Sequence, residues 1–187
     1  MTELTEDELL DQLASWLKEE GLDGLRAVGW GRDGENAVLA WREDWPTIVS
    51  ISVKTPENLP GMICFSLTVL EGVGSEPGGK YPEDQDKLKE IEKQAVDRVD
   101  LLNADQLIGR WVFRHQMSKI TLEHEMLADD LTKAQLVGTV EILGRDSSIW
   151  ESLRGELGGI SGLQGMKEAA ELVEKIEKAR KRSTPPR

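Results

Sequence analysis

Hydrophobic residues recur at the spacing of one helix face near the start of the chain. The members of this stripe are Leu10, Leu13 and Leu17. Thr5 and Glu8 before the stripe have the pattern of a capping box, in which each residue bonds the backbone N–H of the other. Gly21 follows it, where a left-handed backbone commonly ends a helix. The pattern therefore predicts a helix over residues 5–20 with one apolar face.

The hydrophobic period then changes to two, which is typical of strands. Four segments show this alternation, namely residues 25–30, 36–42, 47–54 and 62–70. Short, turn-rich connections between them, such as residues 31–34, predict an antiparallel meander. In the third segment Ser50 and Ser52 lie on the face opposite the valines and isoleucine, so that face is predicted to be the wetter one.

A long helix is predicted after a loop. Residues 71–82 contain four Gly and two Pro, and Pro82 stands where a helix can begin, with acidic residues next to its positive end. An apolar stripe then runs over about four turns. Its members are Leu88, Ile91, Ala95, Val99 and Leu102. The predicted helix spans residues 83–103.

A hairpin and a further helix complete the predicted body of the chain. If Met117 and Ser118 form the turn, the apolar residues of the two hairpin strands share one face. They are Trp111, Phe113, Ile120, Leu122 and Met126. Asp130 is predicted to cap the next helix, and a short helical turn carrying Trp150 and Leu153 follows it. The stripe of that helix consists of Leu136, Val140 and Leu143.

Glycine content divides the chain into a predicted body and an appendage. Five Gly fall between residues 155 and 165, which predicts a linker. An α+β domain is therefore expected over residues 1–154. A C-terminal helix (residues 166–182) with a basic tail is expected over residues 166–187.

Charge narrows the range of partners. The net charge is −12, and because the last 21 residues hold seven Lys or Arg and four Glu, the rest of the chain carries −15. An acidic body repels nucleic acid and anionic membranes and attracts basic partners. Solubility alone, or a salty cytoplasm, explains the same acidity equally well. The lone cysteine, Cys64, fits a buried position in a reducing compartment, so a cytoplasmic protein without a membrane anchor is expected.

Candidate chemistry in the sequence is sparse. Residues 29–34 match the G-x-G-x-x-G pattern of dinucleotide sites, but a strand follows them instead of a helix, so a turn is the better interpretation. In the predicted hairpin register His124 lies opposite Trp111 and His115 opposite Ile120, too far apart for two ligands of one metal. The sequence therefore predicts no catalytic, cofactor-binding or metal-binding residues, and no cofactor.

The order of elements resembles the type III secretion chaperone-like fold, which includes YbjN-type bacterial proteins and mostly archaeal relatives. The resemblance is carried by the opening helix (residues 9–17) and by residues 120–126, which lead into residues 130–136. It covers about residues 3–153. It implies an α+β fold with an antiparallel sheet of about five to six strands and helices on one face. The Gly-rich segment and the extra C-terminal helix depart from the family pattern.

Members of that superfamily are small, acidic and dimeric, and several bind an extended segment of another protein. The resemblance thus implies a non-enzymatic, chaperone-like binding module that forms a homodimer through the long helix or the hairpin. The partner is expected to be a basic or apolar protein or peptide segment. The expected peptide-binding surface consists of Trp41, Val49, Ile51, Phe65 and Leu67. The alternative is a small-molecule binder or an enzyme with a site between sheet and helices that uses His115 or His124.

Overall fold

The chain adopts an α+β fold in which helices pack on an antiparallel sheet. The computed structural model describes residues 5–27, 36–54, 61–76, 80–129 and 131–165. The elements in this part of the chain are α1 (Glu6–Glu19), β1 (Asp23–Ala27), β2 (Ala37–Trp41), β3 (Val49–Lys54), β4 (Met62–Glu71), α2 (Gln85–Ala104), β5 (Arg110–Arg114), β6 (Lys119–Leu127), α3 (Lys133–Asp146), α4 (Trp150–Leu157) and β7 (Ile160–Ser161). None of the described helices has the length and apolar character needed to cross a membrane.

The strands follow the order β1-β2-β3-β4-β6-β5, and each neighbouring pair is antiparallel. The predicted meander of the first four strands is confirmed. The first strand begins at Asp23, earlier than predicted, while residues 28–30 and the predicted turn at 31–34 lie outside the described residues. The short β7 pairs with the end of β4, beyond the position where β3 begins.

One face of the sheet carries the hydrophobic core. All four described helices contribute buried residues to it, including the predicted stripes of α1 and α3. The capping box of Thr5 and Glu8 forms as predicted, and Gly21 adopts a positive φ after α1. The largest fully buried side chains of this core include Leu10, Leu13, Leu17, Ile51, Phe65, Leu67, Ile120, Leu122, Leu136 and Leu143. Helices on one face of the sheet were predicted, and the structure confirms this arrangement.

The end of α2 is bonded directly to the strand that follows it. The helix begins at Gln85 because the Asp84 carboxylate accepts the N–H of Asp86 at 2.9 Å. At the other end the Asn103 amide accepts the N–H of Trp111 at 2.8 Å and donates to its carbonyl at 2.9 Å. This pair of bonds fixes β5 against α2, because the buried backbone of Trp111 has its outer hydrogen bonds satisfied by one side chain.

The hairpin loop is longer than predicted. A 3₁₀ turn occupies His115–Met117, and Ser118 follows it with a φ of 46°. Trp111 therefore pairs with Leu122, and Phe113 pairs with Ile120. The predicted register was wrong by two residues. Because side chains alternate with a period of two, this shift leaves the predicted apolar face unchanged.

The start of α3 also differs from the prediction. Thr132 is the N-cap, and its hydroxyl accepts the N–H of Gln135 while the Gln135 side chain bonds the backbone N–H of Thr132 at 2.9 Å. Asp130, the predicted cap, lies outside the described residues. The reciprocal Thr–Gln bonds form a complete capping box, which satisfies two N–H groups of the first turn.

Residues 155–165 are packed on the body instead of forming a linker. The helix α4 continues to Leu157, and β7 then pairs with Leu70 and Glu71 of β4. A Cβ atom on Gly162 would overlap the carbonyl oxygen of Thr68. The glycines here permit close approach of two backbones, a use that composition alone does not separate from flexibility. The body thus extends at least to residue 165, and the C-terminal helix and tail lie outside the described residues.

Two glycines of α3 provide a matched test of the core. A Cβ atom on Gly144 would lie 2.5 Å from atoms of the Trp45 ring, whereas one on Gly138 meets nothing within 4 Å. Gly144→Ala is expected to lower the free energy of unfolding by about 1–3 kcal/mol through overpacking. Gly138→Ala is expected to raise it by about 0.5–1 kcal/mol through helix propensity. Urea unfolding measures both, and equal effects of the two substitutions would contradict the packing of Trp45 on α3.

Candidate functional site

The face of the sheet that points away from the core forms a shallow groove of about 530 Å³. We call this surface the open face. It consists of the strand residues that alternate with the core residues, from Leu25 on β1 through Leu39, Ser50 and Ser66 to Glu123 on β6. The register places these five side chains in one row across the sheet, because directly paired residues point to the same face.

The side of the open face formed by β1 and β2 is mostly apolar, with exposed Asp23 opposite Trp41 at one end. Leu25 pairs with Leu39, and Leu25 is 54% exposed. Alternation along β2 places Trp41 on the same side, and Ile48 contributes to the groove next to it. An exposed leucine in contact with further apolar residues is the kind of surface that binds another apolar surface.

A band of hydroxyl groups crosses the middle of the open face. Ser50 pairs with Ser66, and Thr68 pairs with Thr121, while Ser66 itself is exposed. Small hydroxyl side chains leave the groove shallow and let another chain approach the sheet closely. The hydroxyls of Ser50, Ser66 and Thr68 also offer donors and acceptors that rotate to suit a partner, whereas the Thr121 hydroxyl is buried.

The side formed by β5 and β6 is charged. The Arg114 guanidinium donates to both carboxylate oxygens of Glu123, at 2.7 Å and 2.5 Å. The Thr121 hydroxyl donates to the same carboxylate at 2.7 Å. Glu125 lies beside Cys64, with 3.8 Å between the carboxylate oxygen and the sulfur. Charged groups thus border the hydroxyl band on the side away from the leucines.

Burial and bonded neighbours act in opposite directions on the pKa of Glu123. Burial by itself would raise the pKa of Glu123, but the bonds from Arg114 and Thr121, with the nearby charge of Lys119, lower it below its ordinary value. The carboxylate is therefore ionised at neutral pH and fixed in direction by two neighbours. It is a positioned charge at the edge of the groove.

The residues predicted to bind a peptide lie on both faces of the sheet. Val49, Ile51, Phe65 and Leu67 are core residues with 1% exposure or less. Only Trp41 lies on the open face. The prediction of one shared surface was wrong because the apolar alternation marks the side that the helices cover. The wetter alternation of Ser50 and Ser52 marks the accessible side, and this signal was present in the sequence.

The two histidines lie in different surroundings. His115 is exposed in the 3₁₀ turn, with its ring centroid 4.4 Å from that of Phe113 and its Nδ1 atom 4.0 Å from the Glu92 carboxylate. His124 is on the core side of β6, with its ring centroid 5.9 Å from that of Phe65. Burial lowers the pKa of His124, although Glu125 partly opposes this shift. Across the described residues, no three His, Cys, Asp or Glu side chains are grouped to hold a metal ion.

Because comparison with known proteins gives no match, the function is argued from the geometry of this surface. No model of a known protein family matches the chain, and no curated protein matches it either. The open face combines an apolar strip, rotatable hydroxyl groups and fixed charges on a sheet. Such a surface suits recognition of a polypeptide, which presents apolar side chains together with polar groups.

Removing the partner of Glu123 should change its titration. Arg114→Gln is expected to raise the pKa of Glu123, because the main interaction that opposes burial is lost. Carbon-13 NMR titration of the carboxyl group measures this shift. Arg42→Gln is the control, since Arg42 pairs with Glu141 and should leave Glu123 unchanged. An unchanged pKa in Arg114→Gln would contradict the described ion pair.

The same pair predicts a pH dependence of stability. The pKa of Glu123 is lower in the folded chain than in the unfolded chain. Its contribution to the free energy of unfolding is therefore complete above the unfolded pKa and is lost as the pH falls through the folded pKa. The loss of stability in acid is expected to be smaller in Arg114→Gln than in the unaltered chain, as urea unfolding across this pH range measures.

Proposed function

We propose that the protein is a non-enzymatic, chaperone-like binding module that accepts a segment of another protein on its open face. The observation that carries the proposal is the pairing of Leu25 with Leu39 beside the Ser50–Ser66 row, which joins an apolar strip, exposed at Leu25, to a polar band. A segment with apolar and basic side chains matches both parts. The apolar strip supplies affinity, and the charged side supplies orientation.

The net charge of the chain and its proposed cytoplasmic location further define the proposed partner. The chain apart from its last 21 residues carries −15, so association with a basic segment is favoured at long range and weakens with added salt. A cytoplasmic setting is part of the proposal, and a single cysteine in 187 residues suits it. The resemblance to type III secretion chaperone-like proteins supports the same kind of partner.

A homodimer is also part of the proposal. Leu101 on α2 is 63% exposed, and Leu107 in the loop before β5 is 97% exposed. Both lie where the long helix meets the hairpin, next to an edge strand of the sheet. Exposed leucines beside an open strand edge are a common basis for contact with a second copy. Light scattering tests this part against the mass of one chain, 20.9 kDa.

A display library of random peptides tests the binding surface directly. Selection on the immobilised chain is expected to enrich peptides that combine apolar and basic residues. Ser66→Arg is expected to weaken the selected peptides by at least about tenfold, because it places a long cation in the middle of the open face. Ser152→Arg is the matched control, since Ser152 is exposed on α4 and the same substitution there should leave binding unchanged.

Two outcomes of this selection would contradict the proposal. Equal losses in Ser66→Arg and Ser152→Arg would place the peptide site elsewhere. Selection of no peptide would favour the alternative, a small-molecule site, for which a groove of about 620 Å³ beside His124, Arg110 and Glu125 is the described candidate. A screen of small ligands against that groove would then be the next experiment.

A further inference from the structure

The described chain ends at the rim of the open face. The strand β7 pairs with Leu70 and Glu71, and the N–H of Leu163 donates to the carbonyl of Pro46 at 3.2 Å. Gly165 lies directly against the Glu71 side chain, since a Cβ atom there would overlap its carboxylate. Glu71 itself lines the groove. The 22 residues that follow, 166–187, therefore start beside this surface.

Part of the open face is buried although it belongs to no core cluster. Ala37 is 1% exposed, Leu39 is 6% exposed and Cys64 is 8% exposed, and none of the three is a member of the core under the helices. Leu25, the direct partner of Leu39, is 54% exposed. The four described helices supply their buried residues to the opposite face.

The sequence of residues 166–187 matches the open face in polarity and charge. The segment carries seven Lys or Arg and four Glu, a net charge of +3, whereas the preceding chain carries −15. Its narrow apolar stripe consists of Leu172, Val173 and Ile176. A narrow stripe suits a strip that is only two strands wide, and the basic residues suit the carboxylates around it.

The length of the segment also fits. A helix over residues 166–182 is about 25 Å long at ~1.5 Å per residue. Three strand spacings of about 4.8 Å separate β4, which carries Glu71, from β1, a distance of about 14 Å across the sheet. A helix that starts beside Glu71 therefore reaches the β1–β2 side of the open face without a further connection.

We propose that residues 166–187 dock on the open face of the same chain, with Leu172 and Ile176 over the strip around Leu39. The inference rests on the proposed function in one respect, namely that this face accepts a polypeptide. An external basic and apolar segment then competes with the C-terminal segment for one surface. The C-terminal segment then acts as an internal competitor. It reduces the apparent affinity for an external partner to the intrinsic affinity multiplied by the fraction of molecules whose open face is uncovered.

Cys64 is the reporter for this contact, because it is the only cysteine in the sequence and lies on the open face. The rate of its reaction with an aromatic disulfide reagent is measured in the full chain. Leu172→Asp/Ile176→Asp is expected to raise this rate at least about tenfold, because the cover over the face is released. Near-ultraviolet circular dichroism of the six Trp verifies that the body stays folded.

The matched control is Lys87→Gln/Lys93→Gln, at two exposed positions of α2. It changes the net charge by the same amount as the aspartates, but on a helix of the opposite face of the sheet. Its reaction rate is expected to stay within about twofold of the unaltered chain. An equal rate in all three proteins would overturn the proposal. Protection that grows with protein concentration and persists in Leu172→Asp/Ile176→Asp would also overturn it, in favour of a second copy on this face.

A second measurement tests the proposal even if Leu172→Asp/Ile176→Asp fails to fold. Zero-length cross-linking of carboxylates to amines in the unaltered chain is expected to join lysines of residues 166–187 to Glu71 or Glu125. Cross-links from these lysines only to carboxylates of the helices would overturn the proposal. The cross-linking result and the peptide selection are independent. If external peptides bind the open face but no such cross-link forms, the proposed function stands and the docking of residues 166–187 is contradicted.

Discussion

The alternation of side chains across β3, β4 and β6 is the constraint on which the structure depends. The pairs Ile51–Phe65 and Leu67–Leu122 point into the core, and the pairs Ser50–Ser66 and Thr68–Thr121 point away from it. A slip of one residue in any of these pairings would exchange the two sets. The leucines and phenylalanine would then face water, and hydroxyl groups would be buried under the helices. The helical layer therefore fixes both the core and the polar character of the opposite face.

The open face follows from this constraint in a second way. The helices cover the other face of the sheet, and on this face Thr121 and Arg114 hold Glu123 in one direction. Fixed charges beside rotatable hydroxyl groups and an apolar strip give orientation without a deep pocket. We propose that this sheet accepts either an external segment or part of its own chain.

Local signals in the sequence predicted much of the fold. The capping box of Thr5 and Glu8 and the stripes of α1 and α3 depend on neighbours a few residues away, and each was visible in the sequence. The hairpin register is set by the 3₁₀ turn at His115–Met117 together with the pairing of β5 with β6, while Asn103 of α2 bonds Trp111 at the other end of β5. The role of Gly162 depends on the approach of β7 to Thr68. Contacts between distant segments decide such features, and a local pattern does not contain them.

The candidate site was misplaced for a related reason. Alternation separates two faces of a strand, but it does not say which one a helix covers. The sequence pattern is equally compatible with an exposed apolar groove and with a buried core at Val49, Ile51, Phe65 and Leu67. The serines on the other side of β3 favoured the second interpretation, because a polar face is the one that water or a polar partner can reach.

The measurement that tests the central claim most directly is a lysine scan of four consecutive positions in β3, residues 49–52, with the free energy of unfolding as the readout. The loss in the free energy of unfolding is expected to alternate between small and large along these four positions. Lysine at Ser50 or Ser52 is expected to cost less than about 1 kcal/mol, whereas lysine at Val49 or Ile51 buries an unpaired charge and is expected to unfold the chain. Similar losses at all four positions, or the opposite alternation, would contradict a sheet with one core face and one open face.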